Sequence, residues 1–252
     1  MHQNHFLDTN IIVGSELRWN KRRRAINDYL TTIEAIRHIT SSVFDECILV
    51  LSSNRRIVTQ FLKELRDEVE SFNSLHLQKE ITRYKNGFLE KQNNQLRESG
   101  FSQNEQLQHE LTLRERKKRI DSFVLENERL IEAAANGFAG IEAYRQEIVE
   151  QIKDATDRVV KNCCTPQEIS FDRHDVAVSN IRQFKDEQRE LAQRIDNKND
   201  VRILLESYFV KQAKIQQNIC FVTIDKADIS GKYRTLIEQT LKGLRIREPE
   251  FF

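Results

Sequence analysis

The sequence predicts an α/β protein: a mostly parallel sheet flanked by helices, with a long helical hairpin or bundle inserted into it. Three observations carry this. Residues 5–13 read as a short apolar strand that ends in Asp8 and runs directly into a helix. Residues 219–224 are a second apolar strand, followed by Asp225 and Asp228. Between the two ends, residues 56–195 show helical spacing, almost no proline and no strand pattern. Strand–helix alternation at both ends implies helical crossovers and therefore a parallel sheet. The expected division is residues 1–55 and 196–252 for the two parts of the α/β domain, and 56–195 for the helical insertion.

The elements follow in order. Residues 5–7 form the first strand, 11–17 a short helix and 21–36 a second helix, with Ile26, Leu30, Ile33 and Ile36 near helical spacing. Residues 38–40 are a brief strand. Ser41 or Ser42 then caps a helix carrying Val43, Phe44, Cys47, Ile48 and Leu51. Ile57, Phe61, Leu65, Val69 and Phe72 open the inserted segment, and Leu107, Leu111, Phe123, Leu130, Phe138, Ile141, Ile148, Ile152 and Val159 continue it. Its narrow apolar stripe suits paired helices. Turns are expected at Asn86-Gly87 and Ser99-Gly100, a bend at Gly137 and Gly140, and a helix start at residues 165–168. After Asp196, a helix over 200–214, a strand over 219–224, a helix over 233–241 and a strand over 244–246 complete the domain.

Composition narrows the function. The net charge of +1 does not announce a nucleic-acid binder, so any such binding rests on local patches. Four cysteines, Cys47, Cys163, Cys164 and Cys220, include no Cys-x-x-Cys pair, and no histidine pair has zinc-finger spacing; a zinc site is not expected. Cys47 and Cys220 read as small core residues, and the adjacent Cys163-Cys164 as an unsuitable disulfide. No run approaches the roughly 20 apolar residues of a membrane span, and no signal segment opens the chain, so the expected location is cytoplasmic.

Two strands that each deliver a carboxylate at their C-terminal end suggest a metal site in the crevice where α/β sheets bind ligands. Taken singly, each acid has a plainer role. An aspartate after a strand is commonly a turn or cap residue, and Asp200 alone is a favourable charge at a helix start. Asp45 competes with Glu46 for its position, and Asp196 with Asp200. The ordered set is more specific. Asp8-Thr9-Asn10, then Glu46 on the helix after the second strand, then Asn199-Asp200 opening a helix, then Thr223-x-Asp225-x-x-Asp228, resembles the motif series of PIN-domain nucleases. The match covers about the first 55 and last 55 residues; residues 56–195 have no counterpart in the small members of that family, although larger PIN-like proteins carry helical insertions.

The resemblance implies a PIN-like fold and a metal-dependent endoribonuclease. Asp8, Glu46, Asp200 and Asp225 would bind Mg²⁺ or Mn²⁺, with Asp228 an accessory acid. Thr9, Asn10 and Thr223 would orient the carboxylates through hydrogen bonds. Metal-activated water would cleave the phosphodiester, leaving 5′-phosphate and 3′-hydroxyl ends. Many prokaryotic relatives act as toxins or defence effectors restrained by an inhibitory protein, and a homo-oligomer is a further partner class. The alternatives are a structure-specific DNA nuclease, since flap nucleases share a related fold, and a non-catalytic helical scaffold on a PIN-like core. For nucleic-acid contact, Lys21, Arg22, Arg23 and Arg24 are nearest in sequence to the first motif. Arg114, Arg116, Lys117, Lys118 and Arg119 are the second cluster, read as a solvated helix face. Trp19 reads as a partly buried anchor, and His174-Asp175 as an exposed helical pair.

Overall fold

The computed structural model describes residues 3–97, 103–125, 127–165, 168–225 and 229–251. They fall into two compact units, Met1–Leu51 with Ala155–Phe252, and Ser52–Asp154. The chain opens with β1 (Gln3–Leu7), α1 (Thr9–Glu16), α2 (Arg23–Thr32) and β2 (Ala35–Thr40), and enters α3 (Ser41–Glu68). Two 3₁₀ turns lead to α4 (Leu77–Arg97), α5 (Gln103–Val124), α6 (Glu128–Ala135) and α7 (Gly137–Val160). Then come β3 (Cys163–Cys164), β4 (Ile169–Ser170), β5 (Asp172–His174), α8 (Val178–Ile181), α9 (Lys185–Ala192) and α10 (Lys198–Val210). A π-helical turn, β6 (Ile219–Val222), α11 (Arg234–Thr240) and β7 (Leu244–Arg247) follow.

The α/β unit is organised by a five-stranded sheet of order β5-β2-β1-β6-β7, and every strand pair in it is parallel. A parallel sheet covered on both faces needs near-continuous apolar strands, and all four residues of β6 are buried. Alternate residues serve opposite faces. On one face His5 bonds Tyr29 of α2, while Ile26 and Leu30 of the same helix are also buried. On the other, Asn4 and Phe6 lie in line with His38, across β1 and β2. Gly14 belongs to the close approach of α1 and α2: a Cβ there would stand 2.6 Å from Ile26 Cδ1 and 2.9 Å from Asn20 Nδ2. In β1 and β6 the register sets Leu7 beside Val222. Asp8 and Thr223 therefore emerge together at one end of the sheet.

In the unit of Ser52–Asp154 every described regular element is helical. Its core gathers Val58, Phe61, Leu62, Leu65, Ile81, Phe123, Ile141 and Ile148. Phe61 meets Phe88 and Phe123 edge-on, with ring centroids 5.4 and 6.3 Å apart.

Several local expectations are corrected. Residues 56–195 are not helical throughout: β3 and β4 pair as an antiparallel hairpin, and β5 is an edge strand beside β2. These strands have two or three residues each, too short to show alternation. The chain rejoins the α/β unit at Ala155. Asn86-Gly87 lies inside α4 rather than in a turn, because one glycine costs a long helix only about 1 kcal/mol. Of the helix start expected at residues 165–168, Thr165 and Glu168 sit in the turn between β3 and β4; Pro166 and Gln167 lie outside the described residues. Ser99-Gly100 also lies outside them. Residues 33–36 leave the second helix, and Ala35 begins β2. All four cysteines are buried and free. No helix among the described residues is long and apolar enough to cross a membrane.

Candidate active site

Asp8 terminates β1 and begins α1. Its N–H continues the sheet ladder to the Val222 carbonyl at 3.0 Å. Its extended backbone (φ −77°, ψ 158°) places the side chain as the cap of α1, where Oδ1 accepts from Thr9 N at 2.8 Å. Oδ2 accepts from Asn10 Nδ2 at 2.6 Å and from Thr223 Oγ1 at 2.7 Å. Three donors converging on one carboxylate favour its ionised form. Asn10 ties the two strand ends together: its Nδ2 also reaches Thr223 Oγ1 at 3.0 Å, and its Oδ1 accepts from Ile224 N at 3.0 Å. Thr223 Oγ1 accepts in turn from Asp225 N at 3.0 Å, which fixes the backbone of the second acid. Asp225 is further held through its carbonyl, which accepts from Ser230 N and Oγ at 2.7 and 2.9 Å.

Glu46 enters from the second turn of α3, where its Oε2 accepts from Thr9 Oγ1 at 2.9 Å. Asp8, only 5% exposed, is pushed up from the usual carboxylate range to about 7. Burial is the main cause, and the charges of Glu46 and Asp225 add to it; the bonds from Thr223 and Thr9 oppose it. Asp8, Thr9, Asn10, Glu46, Thr223 and Asp225 thus belong to one interacting group. Asp200 stands half-buried in the first turn of α10, and Asp228 lies outside the described residues. The donor type suits a hard divalent cation, which takes carboxylate oxygens. Among the described residues, no group of three Asp, Glu, His or Cys side chains lies at metal-ligand spacing. The expected shell of Asp8, Glu46, Asp200 and Asp225 is therefore not assembled at ligand distances in this structure.

The basic run divides. Arg22 turns toward the strand ends, with Nη1 3.4 Å from the Ile224 carbonyl, 3.6 Å from Glu248 Oε2 and 3.9 Å from Glu250 Oε1. Its charge is already met by two carboxylates, which weakens its case as a phosphate ligand. Arg23 Nε donates to the Ser15 carbonyl at 2.9 Å. Lys21 and Arg24 are exposed. In the second cluster Arg116 Nη1 donates to Gln92 Oε1 at 3.0 Å, while Arg114, Lys117 and Lys118 are exposed.

Three buried polar constellations escaped sequence reasoning. Glu206, in the apolar run of α10, is fully buried and accepts from Ser42 Oγ at 2.7 Å, Ser42 N at 3.3 Å and Arg202 Nε at 2.9 Å. It binds the N-terminus of the helix that presents Glu46; the Arg202–Glu206 spacing of four was the available signal. Glu16 is likewise buried, and accepts from Arg158 Nη2 at 2.6 Å and Thr165 N at 2.9 Å. Finally, His38 stands between Asn4 and His174: its Nε2 is 3.0 Å from Asn4 Oδ1 and its Nδ1 3.0 Å from His174 Nε2. With Asn4 Oδ1 an acceptor, neutral His38 carries its proton on Nε2 and accepts from His174. His174 is therefore a half-buried strand residue hydrogen-bonded to the buried His38, not part of an exposed helical pair.

Comparison with known proteins finds no matching family model, no similar curated protein and no similar solved structure.

Proposed function

We propose that this chain is a metal-dependent endoribonuclease on a PIN-like core with a helical insertion. The observation that carries the reading is the state of Asp8. A carboxylate already supplied with three donors is still raised to about 7, first by its burial and then by the charges of two further acids, Glu46 and Asp225. Excess negative charge at the ends of β1 and β6 is what a bound divalent cation would neutralise. Asp8, Glu46 and Asp225 would hold Mg²⁺ or Mn²⁺, with Asp200 and Asp228 the remaining acids of the motif series. When bound, the ion would lower the pKa of a water and offset charge on the scissile phosphate. The chain's own groups orient the site: Thr9 fixes Glu46, Asn10 and Thr223 fix Asp8, and the Thr223 hydroxyl holds the backbone of Asp225. RNA is the proposed substrate, and a toxin or defence role under an inhibitory partner is the corresponding biological setting.

The second reading, a non-catalytic scaffold on the same core, draws on the lack of a three-ligand group at metal spacing among the described residues. Labelled single-stranded RNA and flap DNA, each incubated with Mn²⁺, discriminate the readings. The expected result is RNA cleavage that EDTA and Asp225→Asn abolish. Cleavage confined to flap DNA would make the chain a DNA nuclease. Absence of both cleavage and Mn²⁺ binding would leave the scaffold.

A further inference from the structure

β7 is an edge strand, with β6 as its neighbour in the sheet. Ile219 N and Thr223 N donate to the Gly243 and Arg247 carbonyls, each at 3.0 Å, so those residues of β7 face β6. Successive residues of a strand turn their N–H and C=O groups to opposite sides. Leu244 and Ile246 therefore present theirs to the outer edge. An open edge of this kind is a template for an added strand. Here the chain itself shuts it. Leu244 N donates to the Leu241 carbonyl at 3.0 Å, within the turn that follows α11. Ile246 is closed by two side chains: its N–H donates to Glu238 Oε1 at 2.8 Å, and its carbonyl accepts from Arg247 Nη1 at 2.9 Å.

The Glu238 carboxylate stands where a ligand would. Three guanidinium groups surround it, Arg234 Nε and Arg245 Nη1 at 3.5 Å and Arg247 Nη1 at 3.7 Å. Charge-assisted hydrogen bonds close to about 2.7–2.9 Å, so one carboxylate is shared among three cations without a short bond to any of them. The arginine side chains are 40, 63 and 35% exposed, against 17% for Glu238, so the cations are within reach of solvent. Surplus positive charge favours an acidic partner. A free N–H beside a free carbonyl calls for the backbone of an extended chain. A phosphate backbone would supply the charge but no N–H for the Ile246 carbonyl. A second copy of β7 would bring its own arginines against these.

We propose that the β7 edge docks an extended acidic segment of a partner protein, with Glu238 as its built-in competitor. The backbone of the segment pairs with Ile246 in place of Glu238 and Arg247, and its carboxylates meet Arg234, Arg245 and Arg247. The surface shares no residue with the acid group at Asp8, so it goes beyond the nuclease reading and does not require it.

The test is fluorescence anisotropy with the full chain in EDTA and a labelled hexapeptide of alternating glutamate and valine, whose carboxylates share one face when extended. A site occupied by its own side chain binds more weakly in proportion to the time it stands closed, so Glu238→Ala should tighten the peptide at least tenfold. That gain comes without any new contact. Glu238→Gln keeps an oxygen for Ile246 N and loses only the charge; it should tighten the peptide to a smaller extent. Arg234→Gln with Arg245→Gln should weaken binding about tenfold, the combined worth of two exposed ion pairs. The same peptide with glutamine for glutamate should gain nothing from either Glu238 variant. As a check that needs no variant, saturating peptide should shift the Ile246 amide resonance of the unaltered protein. An Ile246 amide that does not respond, or Glu238 variants that bind the peptide no tighter than the unaltered chain, would overturn the proposal. So would displacement of the peptide by an equal concentration of a ten-nucleotide RNA, which would assign the arginines to phosphate. Dimerisation of the Glu238→Ala chain in sedimentation would overturn it as well, by making a second copy the occupant. RNA cleavage is read separately with Mn²⁺, so a negative result here leaves the nuclease reading standing.

Discussion

Replacing Asp8 by Asn should become more favourable to stability as pH rises. In the unfolded chain Asp8 titrates near the ordinary value of 3.8; in the folded protein it titrates near 7. Below both values the group is protonated in both states. As pH rises between them, the unfolded chain releases its proton first and gains relative to the folded state. Each pH unit of separation is worth about 1.4 kcal/mol, so the ceiling is roughly 4 kcal/mol, with about 2–3 kcal/mol falling between pH 5 and 8. Asparagine escapes this cost but adds another. Its amide nitrogen would face either Thr9 N, now 2.8 Å from Oδ1, or Asn10 Nδ2, now 2.6 Å from Oδ2, a donor mismatch costing about 1–3 kcal/mol. Asp8→Asn should therefore gain about 2–3 kcal/mol on the unaltered protein between pH 5 and 8, and be the more stable of the two at pH 8. The assay is urea unfolding in EDTA, compared pairwise at each pH so that other titrating groups cancel. A difference that stays constant within about 0.5 kcal/mol from pH 5 to 8 would refute the raised pKa of Asp8. Mn²⁺ at a hundred times its dissociation constant should stabilise the unaltered protein by about 2.7 kcal/mol, and Asp8→Asn by much less.

Arg158→Met should cost about 3–5 kcal/mol, because it strands the buried Glu16 carboxylate; adding Glu16→Met should recover part of that loss, and a double variant worse than the single would refute it. His5 and His38 are both held down to about 4, mainly by burial. Their contribution is therefore intact above about pH 6.5 and is lost as pH falls toward 4, by up to about 3 kcal/mol each; thermal melts of His38→Gln should show a visibly shallower acid decline, and an identical decline would count against it. Ser42→Ala removes the 2.7 Å bond to buried Glu206 and should cost about 1.5–3 kcal/mol in urea unfolding. A cost below about 0.5 kcal/mol, the scatter of ordinary surface changes, would show that Arg202 suffices as its partner.

The α/β class was legible because β6 is a short apolar run, as parallel strands buried on both faces require, and because the Phe6-Leu7 end of β1 runs straight into Asp8 and a helix. β5 was illegible for the opposite reason. As an edge strand with one neighbour, Asp172–His174 needs little apolar surface, and polar residues suffice. The hydroxyl and amide residues beside Asp8 signalled a hydrogen-bonded carboxylate. Its degree of burial was not visible, because that depends on Val222 and on helices far away in sequence. Nor did composition reveal that Arg22 turns from Lys21 and Arg24: four consecutive cations look equivalent until Glu248 and Glu250 are placed beside one of them. Glu206 was hidden by position, since a charge in an apolar helical run looks like solvent-facing relief until Ser42 is brought to it.

The place of β1 at the centre of the sheet also sets a timetable for biosynthesis. One of its neighbours, β2, follows within a few dozen residues, but the other, β6, begins only at Ile219. The hydroxyl that seals Asp8 belongs to Thr223, 215 positions later. At about 5–20 residues per second, roughly ten to forty seconds separate their appearance from the ribosome. Throughout that interval the nascent chain carries β1 with its β6-facing hydrogen-bonding edge unpaired. The acids at the sheet end come together only once Thr223 and Asp225 have been made, so whatever chemistry they perform is withheld from the nascent chain until β6 joins β1.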